Sequence, residues 1–154
     1  MRNIIYICVL LSGSALANPK QDIENTIKTH VETTNAENLT GVLSTLDSKC
    51  PDYPQQAAMM PNLFEQFDLK YSLEKLTILN TDETTATVTL TICTEKQAGP
   101  AFRNNRIQQL VTLNNTNNGW KLCSGKIMNI QYLDIEPKNA LAFGIESIKC
   151  KPSL

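Results

Sequence analysis

The chain lacks an excess of either charge, a bilayer-length apolar run and every short motif that announces a cofactor. Its 154 residues carry 14 Lys+Arg against 15 Asp+Glu, a formal charge of −1. A nucleic-acid binder leaves a basic stripe as its electrostatic footprint, and none is present. A membrane-spanning helix needs ~20 consecutive apolar residues, and the unbroken apolar run here ends within residues 4–11. No Walker loop, Rossmann fingerprint, nucleophile elbow or zinc motif occurs. Zinc sites want closely spaced Cys or His pairs, whereas there is one histidine, His30, and the later cysteines are far apart at 50, 93, 123 and 150. Nucleic acid is therefore excluded as a partner, and neither a metal nor a cofactor is expected.

What is present begins with a tripartite leader. Arg2 supplies a positive start, residues 4–11 an apolar core, and Ala15-Leu16-Ala17 a small-x-small cleavage site. Cleavage after Ala17 is the expectation, giving an extracytoplasmic protein, periplasmic or secreted, with no integral membrane segment. The leader takes Arg2 and Cys8 with it. The remaining 137 residues suit one domain with one core. Cys50, Cys93, Cys123 and Cys150 then form an even set in an exported chain, which reads as two disulfides with three possible connectivities.

Periodicity divides the rest. Ile23, Ile27, Val31 and Thr34 recur at helical spacing from Asp22. Leu39, Val42, Leu43 and Leu46 mark a second short helix that stops at Asp47-Ser48, and Pro51 and Pro54 read as a loop. A third helix is predicted over 61–67. After Asp68 the period changes to two: Tyr71, Leu73, Leu76 and Ile78 on one strand, with an irregularity between Leu73 and Leu76. Ala86, Val88, Leu90 and Ile92 alternate with threonines on the next. Strands over 106–114 and 120–132 follow, with Gly125 as a bulge candidate. Helices then meandering strands imply an α+β domain over residues 18–132: a curved antiparallel sheet of about four long strands with three N-terminal helices on its concave face. By alternation Trp120 and Leu122 face inward, Lys121 and Cys123 outward.

These elements in this order resemble the nuclear transport factor 2-like superfamily, the cystatin-like cone that includes SnoaL-like cyclases and ketosteroid isomerases. The likeness is carried by Asn35 to Asp47, by the Thr-Ala-Thr-Val-Thr-Leu-Thr strand at 85–91 and by Gly119-Trp120-Lys121-Leu122. Gly99 to Arg106 is similar to a connector of exported bacterial members, with Asn104 where Asp is common. The likeness ends near Tyr132. Leu133, Ile135, Leu141, Phe143, Ile145 and Ile148 are too apolar for a free tail, so the extension 133–154 is expected to pack on the domain, held by Cys150. Cys93 and Cys123 fall on strands separated by a third, roughly 10 Å apart and beyond disulfide reach, which disfavours their pairing.

Function is less visible, because this scaffold serves enzymes, binding proteins and assembly domains alike. Met59, Met60, Leu63, Phe64 and Phe67, with Val88, Leu90, Trp120 and Leu122 from the sheet, are either an apolar pocket or ordinary core. His30, Asp47 and Tyr53 are the only acid–base candidates. The resemblance makes an Asp base with a Tyr donor chemically reasonable, while helix-stop chemistry accounts for Asp47 equally well. Arg103 and Arg106 flank Phe102, as an anion clamp or as solvated connector charges. The leading expectation is a non-enzymatic exported domain binding a small apolar molecule or a protein partner. The alternative is a small SnoaL-like lyase, isomerase or cyclase using His30, Asp47 and Tyr53. A homodimer through the open sheet face is a third reading.

Overall fold

A computed structural model describes residues 18–133 and 149–154. The expected leader at 1–17 and the part of the extension at 134–148 lie outside the described residues. Helix α1 spans Pro19–Asn35, opening on a proline whose missing N–H has no helical partner to lose, with Asp22 in its first turn. Ile23, Ile27, Val31 and Thr34 form its buried stripe. Glu37, at φ 51°, turns the chain out of the helix, and the Asn38 side chain then caps α2 (Leu39–Ser44) by accepting from the Gly41 N–H at 3.0 Å. Gly41 is required by the close approach of the two helices, since a Cβ there would sit 2.6 Å from Thr33 Cγ2.

Strands β1 (Asp68–Thr81), β2 (Thr85–Ala98), β3 (Asn105–Thr116) and β4 (Gly119–Tyr132) form an antiparallel meander in the order β1-β2-β3-β4. Together with three helices they make the expected α+β cone. β1 slips register between Leu73 and Lys75, where the irregularity was predicted. In β4 the extra residues opposite β3 are Cys123 and Met128. Gly125 pairs regularly with Val111, so the bulge expected there is displaced to its neighbours. Such bulges bend the strand that carries them, and here they help to curve the sheet around α1. The β1–β2 turn is locked by Asp82, whose carboxylate accepts from the N–H and hydroxyl groups of both Thr84 and Thr85. Those backbone N–H donors hold its pKa at about 2.

The core lies between α1 and the concave face. Ile23, Ile27 and Val31 pack with Leu73, Ala86, Val88, Leu90, Val111, Leu113 and Trp120. Two expectations shift at the helices. α2 stops at Ser44, and Leu46 instead bridges in parallel to Leu122, with Asp47 N–H donating to Leu122 C=O at 2.8 Å. α3 runs from Tyr53 to Gln66, eight residues earlier than expected, because Pro54 occupies its first turn, where proline is favoured, rather than a loop. It buries none of its residues.

Two disulfides complete the unit. Cys50–Cys123 ties the loop after α2 to the β4 bulge, and Cys93–Cys150 ties the C-terminal residues to β2. Cys93 and Cys123 do not pair with each other. The last residues are fastened to β1 as well: Leu73 N–H donates to Ser153 Oγ at 3.1 Å and Leu154 N–H to Leu73 C=O at 2.9 Å. Glu74 accepts from the Lys151 N–H at 2.6 Å and from Arg106 Nε at 2.5 Å.

The second cross-link closes a sequence separation of 57 residues, so the loop-entropy relation places its contribution at about 4 kcal/mol. A Cys93→Ser/Cys150→Ser double variant is expected to lose about that much in urea unfolding, with the strand signal in circular dichroism retained. A loss under about 0.5 kcal/mol would mean that the polar contacts around Glu74 hold the terminal residues unaided.

Candidate functional site

α1 covers only part of the concave face, and α3 stands off the remainder. A cavity of about 360 Å³ lies between them. The sheet contributes Leu90, Ile92, Ile107, Val111, Leu122 and Ile127, with Tyr71 and Gln109; α1 contributes His30, Val31 and Thr34; α3 contributes Gln56, Met59, Met60 and Leu63. The lining is mostly apolar. Among the described residues, no carboxylate and no ammonium or guanidinium group lines it.

His30 is the one imidazole in the wall. Its Nδ1 lies 2.7 Å from the Oγ1 of Thr45, the residue that follows α2. Burial lowers its pKa to about 4, because a charged ring would be poorly solvated there. Tyr71 is pushed up to about 12 for the same reason. Both therefore present neutral polar groups to an apolar space across the neutral pH range.

The other acid–base candidates lie elsewhere. Asp47 is buried, accepting from Asn114 Nδ2 at 2.9 Å and from the Lys49 N–H at 3.0 Å. Asn114 first, then the Lys49 N–H, hold its carboxyl below the usual range despite burial. It lines a separate polar depression with Lys49, Asn115 and Lys121. Tyr53 heads α3, half-buried, and is not in the cavity wall. His30, Asp47 and Tyr53 share no hydrogen bond among the described residues.

The structure divides the apolar candidates. Met60, Leu63, Leu90 and Leu122 are in the cavity wall. Val88 and Trp120 belong to the packed core beneath α1. Phe64 is half-buried outside the cavity, and Phe67 meets Phe102 edge-on with ring centroids 6.1 Å apart. Arg103 stacks over the Tyr132 ring at 4.0 Å while Arg106 is paired with Glu74, so the two arginines form no clamp. Tyr71, Ile107, Gln109 and Ile127 are cavity residues that sequence reasoning passed over. The β3 alternation of Ile107, Gln109 and Val111 carried the signal for two of them.

Residues 25–133 match the family described as anti-sigma-I factor RsgI9, C-terminal domain. No curated protein sequence is significantly similar to the chain. Among solved structures, an NTF2-like protein from Cytophaga hutchinsonii superposes with a TM-score of 0.61 at 13% identity, over 72% of this chain and 98% of that one. A protein from Novosphingobium aromaticivorans provisionally named a scytalone dehydratase gives 0.62 at 11%, over 76% and 89%. A ketosteroid isomerase-like protein from Erwinia carotovora atroseptica gives 0.53 at 17%, over 71% and 95%. At these identities the likeness establishes the nuclear transport factor 2-like fold alone.

The His30 environment has a consequence for acid stability. Between about pH 6.5 and 4 the unfolded chain binds a proton that the folded one refuses, so stability falls as pH drops through that window and levels off below it. His30→Gln should flatten the melting-temperature profile between pH 6.5 and 4. An unchanged slope would assign the titration to another group.

Proposed function

This chain belongs to the family of the anti-sigma-I factor RsgI9 C-terminal domain, and from that premise we propose that it is a non-enzymatic binding domain for a small apolar molecule. The observation that carries this reading is the open cavity itself. At about 360 Å³ it falls in the size range of small-molecule sites, and it is walled by aliphatic and methionine side chains with a few neutral polar groups. A core that had failed to pack would lose dispersion contacts along every unfilled wall, so an occupant of matching shape gains them back. α3 suits entry, since it buries none of its residues and presents Met59, Met60 and Leu63, side chains that adapt to varied shapes.

That no carboxylate lines the cavity among the described residues weighs against the lyase or isomerase reading, because general acid–base work needs a positioned proton acceptor of suitable pKa. A lone imidazole held near pKa 4 is a weak base. The second reading, a protein partner or a second copy of the chain, is favoured by two features. Ile127, Met128, Ile130 and Tyr132 of β4 are all exposed, and the family is named for an anti-sigma-I factor. Export fits both readings: two disulfides suit an oxidising compartment outside the cytoplasm, reached after cleavage near Ala17.

Native mass spectrometry of the mature protein from its natural compartment tests the proposal. The expected result is a retained small molecule that is lost on denaturation. Leu122→Trp, which fills the cavity from the sheet side, should abolish retention and lower binding of apolar probes at least tenfold. Retention unaffected by Leu122→Trp would move the ligand to another surface.

A further inference from the structure

Two hydroxyls of the cavity wall are already engaged. Thr34 Oγ1 donates to His30 C=O at 2.7 Å, and Ser124 shares a hydrogen bond with Thr112 at 2.7 Å. His30 differs, and its neighbours decide where its proton sits. Thr45 Oγ1 lies 2.6 Å from Val42 C=O and 2.7 Å from His30 Nδ1. A carbonyl can only accept, so the single hydroxyl hydrogen of Thr45 goes to Val42. Thr45 must then accept from His30, which puts the ring proton on Nδ1. Nε2 is left with its lone pair. Among the described residues it has no hydrogen-bond partner, and it is not fully enclosed as the unpartnered Asn105 Oδ1 is. The ring that carries this atom lines the cavity.

We propose that His30 Nε2 is a fixed hydrogen-bond acceptor that selects small ligands bearing a hydroxyl or N–H donor on an apolar body. This rests on the ligand-binding reading above and adds the chemical class. A purely hydrocarbon ligand would cover Nε2 and strip it of water without replacing the hydrogen bond, which is the costly case for a buried polar atom. A phenol-like or indole-like molecule satisfies it. An ether of the same size has no hydrogen to offer Nε2.

The preferred tautomer is the less common one for a free imidazole, so its maintenance depends on the Val42–Thr45 relay. Thr45→Ser keeps the hydroxyl and should preserve it. Thr45→Val removes the acceptor for Nδ1–H and should release the proton to Nε2, converting the acceptor into a donor.

The test uses the full mature chain with phenol, anisole and toluene as probes, read by calorimetry and ligand-detected NMR. Phenol should bind roughly tenfold tighter than toluene or anisole, the ratio that one satisfied buried acceptor supports. In His30→Leu the three should converge, with toluene binding retained. Long-range ¹H–¹⁵N correlation on the unliganded protein should show Nδ1 protonated and Nε2 at the free-base position. Equal affinities for phenol and toluene, or a protonated Nε2, would overturn the acceptor assignment while leaving the cavity reading intact. Failure of all three probes to bind would overturn the ligand-binding reading, and this assignment with it.

Discussion

The structure depends on a shortage of apolar cover. A four-stranded sheet curved by bulges offers more inward surface than one 17-residue helix can bury. α1 places Ile23, Ile27 and Val31 over Val88, Leu113 and Trp120, and that half is close-packed. The rest of the concave face is approached by α3, which stands above it without burying any residue of its own. The cavity is thus a direct result of how helical surface is distributed along the chain.

The two faces of the sheet handle polarity in opposite ways. Outside, Glu74, Arg106 and Lys151 meet around the end of the chain, and Asp47, Lys49 and Asn114 meet beside the Cys50–Cys123 bond. There Glu74 pairs with Arg106, and the Asp47 carboxylate is satisfied by an amide and a backbone N–H. Inside, among the described residues, no charged side chain reaches the cavity wall, and the two titratable groups that do are both kept neutral by burial. Acid–base residues that lie near one another in sequence are in this way assigned to different sides of the fold, Asp47 outside and His30 within.

Much of the architecture was legible because strands with one buried face must alternate. The Thr-Ala-Thr-Val-Thr-Leu-Thr pattern of β2 and the helical spacing of the α1 stripe each admit one reading. The third helix was harder. Pro51 and Pro54 signal a turn and a helix start with equal force, and a helix that buries nothing has no apolar stripe to extend its predicted range backward. The site was less legible still. Thr45 meets His30 across the α1–α2 crossing, 15 residues away, and no periodicity encodes that contact. Gly125 was the bulge candidate, yet the bulges fall at Cys123 and Met128, and Cys123 is also the residue that must reach Cys50. The tethering of residues 153–154 to β1 rests on backbone groups and one serine, for which sequence pattern has no signature.

The Cys93–Cys150 bond also changes how the domain would bear load. In a meander without it, tension on the chain after β4 would peel that edge strand away one hydrogen bond at a time. Here a pull applied beyond Cys150 bypasses β3 and β4 through the sulfur bridge and enters β2, an interior strand paired on both sides. The sheet is then sheared along two ladders at once rather than unzipped along one. Oxidised, this small domain resists tension from its C-terminal side with its strongest element; reduced, with its weakest.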